Sequence, residues 1–370
     1  MLQRAERHLL RSRYIHNGRE HINFCSNDYL NLATHPAIKN ALIKGAQEFG
    51  LGSTSSPVVS GYSRAHRLLE ETFAKFLNRE RALLFNSGYH ANLGVLTTFA
   101  RRNSVIIADK LCHASLIDGI VLSRANYYRY HHNNLAHAES LLNKIMGQEK
   151  LLVTESVFSM QGSISNIKKL ADIANRYQAM LIVDDAHGVG VLGEQGGGIC
   201  DYYQLSQHAV PCLITPLGKA LGSMGAIVSG ANDVIEELLQ SARTYHYSTA
   251  LPPVICFATV TAIKIIQEES WRRKKLQHLI TFFNHEAKIR SLPLVSHDAT
   301  PIKSILVGEN KTTLELQHYL MQFGYFVSCI RPPTVPINTA RLRISLNCAH
   351  EEKQIIHLLD LIHNYDKRKN

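Results

Sequence analysis

From about residue 80 to residue 230, short apolar runs alternate with stretches of helical periodicity. Residues 82–85 (ALLF), 104–108 (SVIIA), 151–154 (LLVT), 180–183 (MLIV), 213–214 and 226–229 (AIVS) are nearly continuous in polarity rather than alternating. Strands of that pattern are buried on both faces. The intervening segments, such as 167–177 and the stretch opening at Ala91, space their apolar residues as one helix face does. The pattern predicts an α/β fold: a mostly parallel central sheet covered by helices on both sides.

Beyond Asn232 the pattern changes. Residues 233–245 read as a helix, Leu251-Pro252-Pro253 interrupts the chain, and a long amphipathic stretch starts at Val254. The last hundred residues predict a smaller α+β domain. Its strands fall at 302–307, 325–330 and 340–346, with helices at 312–323 and from Glu351. The division read from this is an N-terminal segment at 1–20, a large domain at 21–262 and a small C-terminal domain at 263–370.

Composition narrows the class. The 370 residues are 45% hydrophobic and 19% charged, which excludes a disordered chain. The most apolar stretch, 250–266, holds Pro252, Pro253 and Lys264, so no membrane span is expected. Seven cysteines, with no C-x-x-C pair, argue against a disulfide framework and a zinc ribbon. Residues 1–14 carry Arg4, Arg7, Arg11 and Arg13 and lack the apolar core of a signal peptide. Together these predict a cytoplasmic protein. The net charge of +10 suits anionic partners. The basic residues are scattered, however, and the cluster at 271–275 (WRRKK) reads as a solvated helix face, so nucleic acid is not an expected partner.

Two motifs invite misreading. Residues 188–193 (GVGVLG) match G-x-G-x-x-G after an apolar run, but Glu194-Gln195-Gly196-Gly197-Gly198 follows and cannot open the helix a dinucleotide fold needs. His131-His132 would point to opposite faces of a strand, a poor metal pair. No Walker A, H-E-x-x-H or G-x-S-x-G sequence occurs, and no metal site is expected.

Three segments at predicted strand ends carry the chemistry. Asn86-Ser87-Gly88-Tyr89-His90-Ala91-Asn92 lies after a strand and before a helix, where backbone N–H groups exposed at the helix start, with a glycine permitting close approach, suit a phosphate. Asp184-Asp185-Ala186-His187-Gly188 sets two carboxylates and an imidazole at the end of a buried strand, a costly placement without a purpose. Thr215-Pro216-Leu217-Gly218-Lys219 ends another strand in a lysine flanked by small residues, where partial desolvation makes the amine a nucleophile toward an aldehyde. Singly, each is an ordinary turn, a capped loop or a surface lysine. Jointly they are the parts that pyridoxal 5'-phosphate (PLP) requires: a phosphate cradle, an acid for the pyridine nitrogen, a histidine for the ring hydroxyl and a lysine for the aldehyde.

The chain resembles the α-oxoamine synthases, a family of fold-type I PLP-dependent transferases. The likeness runs from about Leu10 to the C-terminal domain. It is carried in order by 23–30 (NFCSNDYL), 50–53 (GLGS), 59–62 (VSGY) with His66 and Glu70, 108–110 (ADK) with 113–116 (HASL), and 154–160 (TESVFSM). It continues through 183–188 (VDDAHG), 217–222 (LGKALG), 247–249 (YST), 330–336 (IRPPTVP) and 339–343 (TARLR). The resemblance implies that Lys219 binds the cofactor and then acts as base, with Asp184 on the pyridine nitrogen and His187 on the ring hydroxyl. It places His113 over the ring and against the substrate carboxylate. Gly88, Tyr89, Ser159 and Glu155 would contact or support the cofactor, and Thr249 would reach the phosphate of a neighbouring subunit in a homodimer. Arg343 would bind the amino-acid carboxylate, with Arg11, Asn27 and Thr334 on the substrate side.

The implied reaction is a decarboxylative condensation of an amino acid with a thioester. Residues 330–336 favour the members that join L-alanine to pimeloyl-CoA or pimeloyl acyl carrier protein over those that use glycine. A non-catalytic protein that keeps the fold is the rival from another class. The chain departs from the family pattern twice: Pro216 stands where a threonine usually meets the phosphate, and Met160-Gln161-Gly162-Ser163 replaces Met-Asp-Gly-Asp.

Overall fold

A computed structural model describes residues 8–10, 13–16 and 19–367. The chain divides into two compact units that interleave along the sequence. One comprises Met1–Ala33, Ser159–Ser163 and Trp271–Asn370, the other Thr34–Phe158 and Ile164–Ser270.

Three antiparallel strands, β1 (His8–Leu10), β2 (Arg13–His16) and β3 (Arg19–Asn23), open the chain in the first unit. The second unit is built on seven strands: β4 (Arg81–Phe85), β5 (Val105–Asp109), β6 (Asn126–Tyr130), β7 (Lys150–Glu155), β8 (Ala179–Asp184), β9 (Cys212–Pro216) and β10 (Ala226–Gly230). They lie in the order β4-β10-β9-β8-β7-β5-β6. Only β10 runs antiparallel to its neighbours. The sheet is therefore mostly parallel, as the continuous apolar runs predict.

Helices α1 (Pro36–Phe49), α2 (Arg64–Phe76), α3 (Gly88–Phe99), α4 (Ala114–Ser123), α5 (Leu135–Asn143) and α6 (Ile167–Arg176) belong to this unit. So do α7 (Ile199–Tyr203), α8 (Asn232–Ser241), α9 (Arg243–His246) and α10 (Pro253–Glu268). Side-chain caps start several of them: Ser87 accepts from His90 N, Asn134 from His137 N and Asn166 from Lys169 N. The core joins Val95 and Leu96 of α3 and Leu116 and Ile120 of α4 to Ile106, Val153, Ile182, Ile214 and Val228 of the sheet.

In the first unit, β11 (Ile302–Gly308), β14 (Ala340–Ser345) and β13 (Ser328–Ile330) form an antiparallel sheet, while β12 (Tyr325–Phe326) pairs in parallel with β3. Helices α11 (Ser270–Ile289), α12 (Asn310–Gln322) and α13 (Glu352–Lys367) complete it. The expected single strand at 325–330 is thus two strands, broken at Val327, which serve two different sheets. The expected helix at 233–245 is also broken, at Ala242, whose ψ of 104° is extended.

The loop at 188–198 opens no helix straight from its first glycines. A Cβ on Gly188 would lie 1.9 Å from Asp185 Oδ1, and one on Gly193 (φ +83°) would lie 2.2 Å from Asp201 Oδ2. The loop closes on these two carboxylates, which accept from the amides of Ile199 (2.9 Å), Gln195 (2.8 Å) and Gly197 (3.1 Å). The loop spends these amides on its own two carboxyls rather than on a phosphate, which is why the glycine motif misleads. Among the described residues, no helix is long and apolar enough to cross a membrane, and no group of three or more potential ligands could hold a metal ion. All seven cysteines are free.

Candidate active site

In the second unit, the ends of β7, β8 and β9 bring the predicted residues together. Parallel register sets Glu155 beside Asp184, and Asp184 beside Ile214, two residues before the end of β9. The turns that follow carry His187 and Lys219, whose Nε2 and Nζ lie 2.9 Å apart. Asp184 is buried; its Oδ1 accepts from Ala186 N at 3.0 Å and its Oδ2 from Asn92 Nδ2 at 2.8 Å.

Glu155 is 2% exposed. Burial pushes its carboxyl well above the usual range, and the charge of Asp184 adds to the shift. Lys219 and a hydrogen bond from the His113 backbone pull the other way. The net effect is a Glu155 carboxyl held well above the usual carboxylate range beside Asp184.

Helix α3 starts at Gly88, capped by Ser87. The amides of the first helical turn have no partner within the helix, so Gly88 and Tyr89 present theirs outward. A Cβ on Gly88 would lie 2.6 Å from Pro216 Cγ, so the helix start is packed on the end of β9. His113 is the N-cap of α4, exposed, with Nδ1 2.7 Å from Ser115 Oγ. Thr249 is exposed and its carbonyl accepts from Asn86 Nδ2 at 2.6 Å.

In the first unit, Arg343 is 6% exposed and engages three oxygens. Nε donates to Ser159 O at 2.6 Å, Nη1 to Ser345 Oγ at 3.0 Å and Nη2 to Asn27 Oδ1 at 3.3 Å. The hydroxyl of Tyr29, fully buried, donates to Asn27 Oδ1 at 3.2 Å. Segment 24–29 is held against the strand end by Ser345 N to Phe24 O (2.7 Å) and Cys348 N to Tyr29 O (2.9 Å). Thr334 lies on the exposed loop after β13, its amide bonded to Arg331 O at 3.0 Å. Arg11 lies outside the described residues.

Comparison with known proteins places this arrangement. The family profile of aminotransferase class I and II matches residues 19–362. The chain belongs to the class I and II aminotransferase family. A relative in this family, 8-amino-7-oxononanoate synthase of Nitrosococcus oceani, is 45% identical over 93% of this chain and 91% of its own length. The crystal structure of 8-amino-7-oxononanoate synthase from Francisella tularensis is 38% identical, with a TM-score of 0.84 over 94% of this chain and 98% of that one. A structure of SPT with a PLP internal aldimine is 25% identical, with a TM-score of 0.92 over 96% and 90%. The fold-type I architecture and the α-oxoamine synthase resemblance are both borne out by these matches.

Within this aminotransferase-family site, sequence reasoning gave no role to Asn92, Ser115 and Tyr29, although each stands in a motif it singled out, and did not reach Ser345. Asn92 was readable: it stands four residues after Gly88, on the same helix face as the cradle. Ser345 was readable too, since it stands two residues after Arg343 on β14 and so on the same strand face. Tyr29 carried no such signal, because only the fold brings segment 24–29 to that strand.

Proposed function

We propose that this chain is a PLP-dependent acyltransferase of biotin biosynthesis. It condenses L-alanine with a pimeloyl thioester, of CoA or of acyl carrier protein, to give 8-amino-7-oxononanoate, carbon dioxide and the free thiol. The chemistry rests on one arrangement: the Lys219 amine 2.9 Å from His187 Nε2, on the turns that follow the adjacent parallel strands ending near Asp184. The substrates come from the 8-amino-7-oxononanoate synthases that this chain matches at 45% identity.

The residues present fit PLP. An amine, an imidazole and a buried carboxylate stand at neighbouring strand ends, beside a helix start whose outward amides suit a phosphate. Glu155 Oε1 and Asn92 Oδ1 are buried there with no hydrogen-bond partner. When bound, PLP supplies a carbonyl that condenses with amines and a protonated ring that accepts the electron pair of a substrate carbanion.

The chain's own residues do the rest. Gly88 and Tyr89 amides hold the phosphate, with Ser159 a further cofactor contact. Asp184, fixed by Asn92 and Ala186, would keep a proton on the pyridine nitrogen, with Glu155, whose carboxyl burial pushes up, as a supporting residue behind it. His187 meets the ring hydroxyl and Lys219. Lys219 would hold the cofactor's aldehyde and, once free of it, would serve as the base that takes the α-proton of alanine on its nitrogen. The α-carbon attacks the thioester carbonyl and the thiolate leaves. The alanine carboxylate then departs as carbon dioxide, and a proton returns to the α-carbon. As the resemblance implies, Arg343 with Asn27, and His113, would bind that carboxylate, and Arg11 and Thr334 would act on the substrate side.

The enzyme acts as a homodimer in the cytoplasm, with Thr249 reaching the phosphate of the second subunit. The seven free cysteines suit that compartment, and the charge of +10 suits an anionic thioester.

The test is the visible absorption of the PLP-incubated protein before and after L-alanine, with glycine as control. A cofactor band that shifts with alanine and hardly with glycine is expected, and Lys219→Ala should abolish turnover. A response to glycine alone would assign a glycine-using relative instead. A protein with no band at all would have no PLP chemistry.

A further inference from the structure

The buried amide of Asn92 links two parts of the site that the reaction uses separately. Asn92 is 1% exposed, and its Nδ2 donates twice: to Asp184 Oδ2 at 2.8 Å and to Ser115 Oγ at 2.8 Å. The opposite amide orientation would press Oδ1 against a carboxylate oxygen, so the nitrogen faces Asp184. Ser115 Oγ, already accepting from Asn92, turns its own hydrogen to the next acceptor, His113 Nδ1 at 2.7 Å. The backbone N–H of Ser115 points at the same ring nitrogen from 3.2 Å. A ring nitrogen that faces two donors carries no hydrogen.

We propose that Asn92 and Ser115 are positioning residues that hold His113 as the tautomer protonated on Nε2, through a donor chain running from Asn92 to Ser115 to His113 and anchored on Asp184. The far side of the imidazole then presents an N–H and no lone pair. It suits an acceptor oxygen, as a carboxylate offers, and it cannot take a proton from a substrate. His113 thereby orients its ligand and leaves proton transfer to Lys219. That ligand role rests on the alanine-using reading of the site, whereas the tautomer itself does not.

Ring-15N histidine spectra of the PLP-incubated protein test this, with His113 assigned by the signal lost in His113→Asn. The expected wild-type spectrum shows Nδ1 as an unprotonated acceptor and Nε2 protonated. Ser115→Ala removes one neutral hydrogen bond and should lower the ratio of Nε2–H to Nδ1–H tautomer roughly two- to tenfold. Ser115→Thr keeps the hydroxyl and should restore the ratio, and Asn92→Ala, which frees the hydroxyl to turn away, should lower it as well. A wild-type ring protonated at Nδ1, or a Ser115→Ala spectrum identical to wild type, would overturn the proposal. In steady-state kinetics, Ser115→Ala should raise the KM for L-alanine by a similar factor and leave the KM for the thioester unchanged. A tautomer shift without that rise would sustain the donor chain and overturn the alanine reading instead.

Discussion

At the scale of single residues, Arg343 is a buried cation whose hydrogen bonds go to neutral oxygens: a backbone carbonyl, a hydroxyl and an amide oxygen. A buried cation without an anion is costly, and a carboxylate brought to it is repaid accordingly. Tyr29 adds no negative charge, because burial raises its phenol far above neutrality despite the opposing pull of Arg343. Lysine in place of Arg343 would offer one compact charge where three directed donors now fix the group. Charge-assisted hydrogen bonds contribute about 1.5–3 kcal/mol, so Arg343→Lys should raise the KM for L-alanine roughly ten- to a hundredfold. The thioester KM should hold. A fall in kcat with no change in the alanine KM would remove Arg343 from carboxylate binding.

At the scale of elements, the site depends on how closely α3 approaches β9. Gly88 begins the helix and Pro216 ends the strand, and a methyl group on Gly88 would sit 2.6 Å from Pro216 Cγ and 3.1 Å from its Cβ. The proline ring has no rotamer into which to retreat. Gly88→Ala must then shift the helix start, at about 1–3 kcal/mol for overpacking, and the phosphate cradle moves with it. Spectroscopic titration should show PLP affinity reduced about tenfold or more. The double variant Gly88→Ala/Pro216→Ala, which deletes the Cγ, should recover most of it; no recovery would place the damage elsewhere.

The same elements show what the sequence makes legible. Strands β5, β7, β8 and β9 were readable because burial on both faces leaves continuous apolar runs, and Lys219, Asp184 and His187 followed from their ends. Strand β6 was not, since it is an edge strand with four of five residues exposed and the sequence NYYRY. The split of 325–330 into β12 and β13 was hidden for a related reason. Each half pairs with a strand distant in sequence, β3 or β14, and no local pattern encodes the change of partner. Tyr29 and Ser345 lie more than 300 residues apart, so their common contact, Asn27, appears only once the chain is folded.

At the scale of the whole molecule, each unit buries an ionisable group that its site does not use, and the two act in opposite pH windows. In the second unit, Glu70 takes hydrogen bonds from Tyr62 OH (2.7 Å) and Leu84 N (2.9 Å), near Arg81 and Glu71. Burial raises its carboxyl from 4.5 to about 7. Between those values the folded chain keeps a proton that the unfolded chain has lost, so stability falls as pH rises, by about 3 kcal/mol in all. Asp185, raised from 3.8 to about 7 by its burial, acts in the same direction. In the first unit, Lys303 is fully buried with Nζ on Asp298 O at 2.7 Å, and burial lowers it from 10.5 to about 7. There the unfolded chain holds the extra proton between about 7 and 10.5, so stability rises with pH across that window, by about 5 kcal/mol. Both penalties are near full strength around pH 7. Glu70→Gln, which mimics the protonated acid, should therefore raise Tm at pH 8 and leave it unchanged at pH 4. Lys303→Met should raise Tm at pH 5. Near pH 10.5 it should lower Tm slightly, because Asp298 O then loses a donor worth about 1 kcal/mol. Melting both variants from pH 4 to 10.5 separates titration from packing, since a packing change would shift Tm by the same amount at every pH.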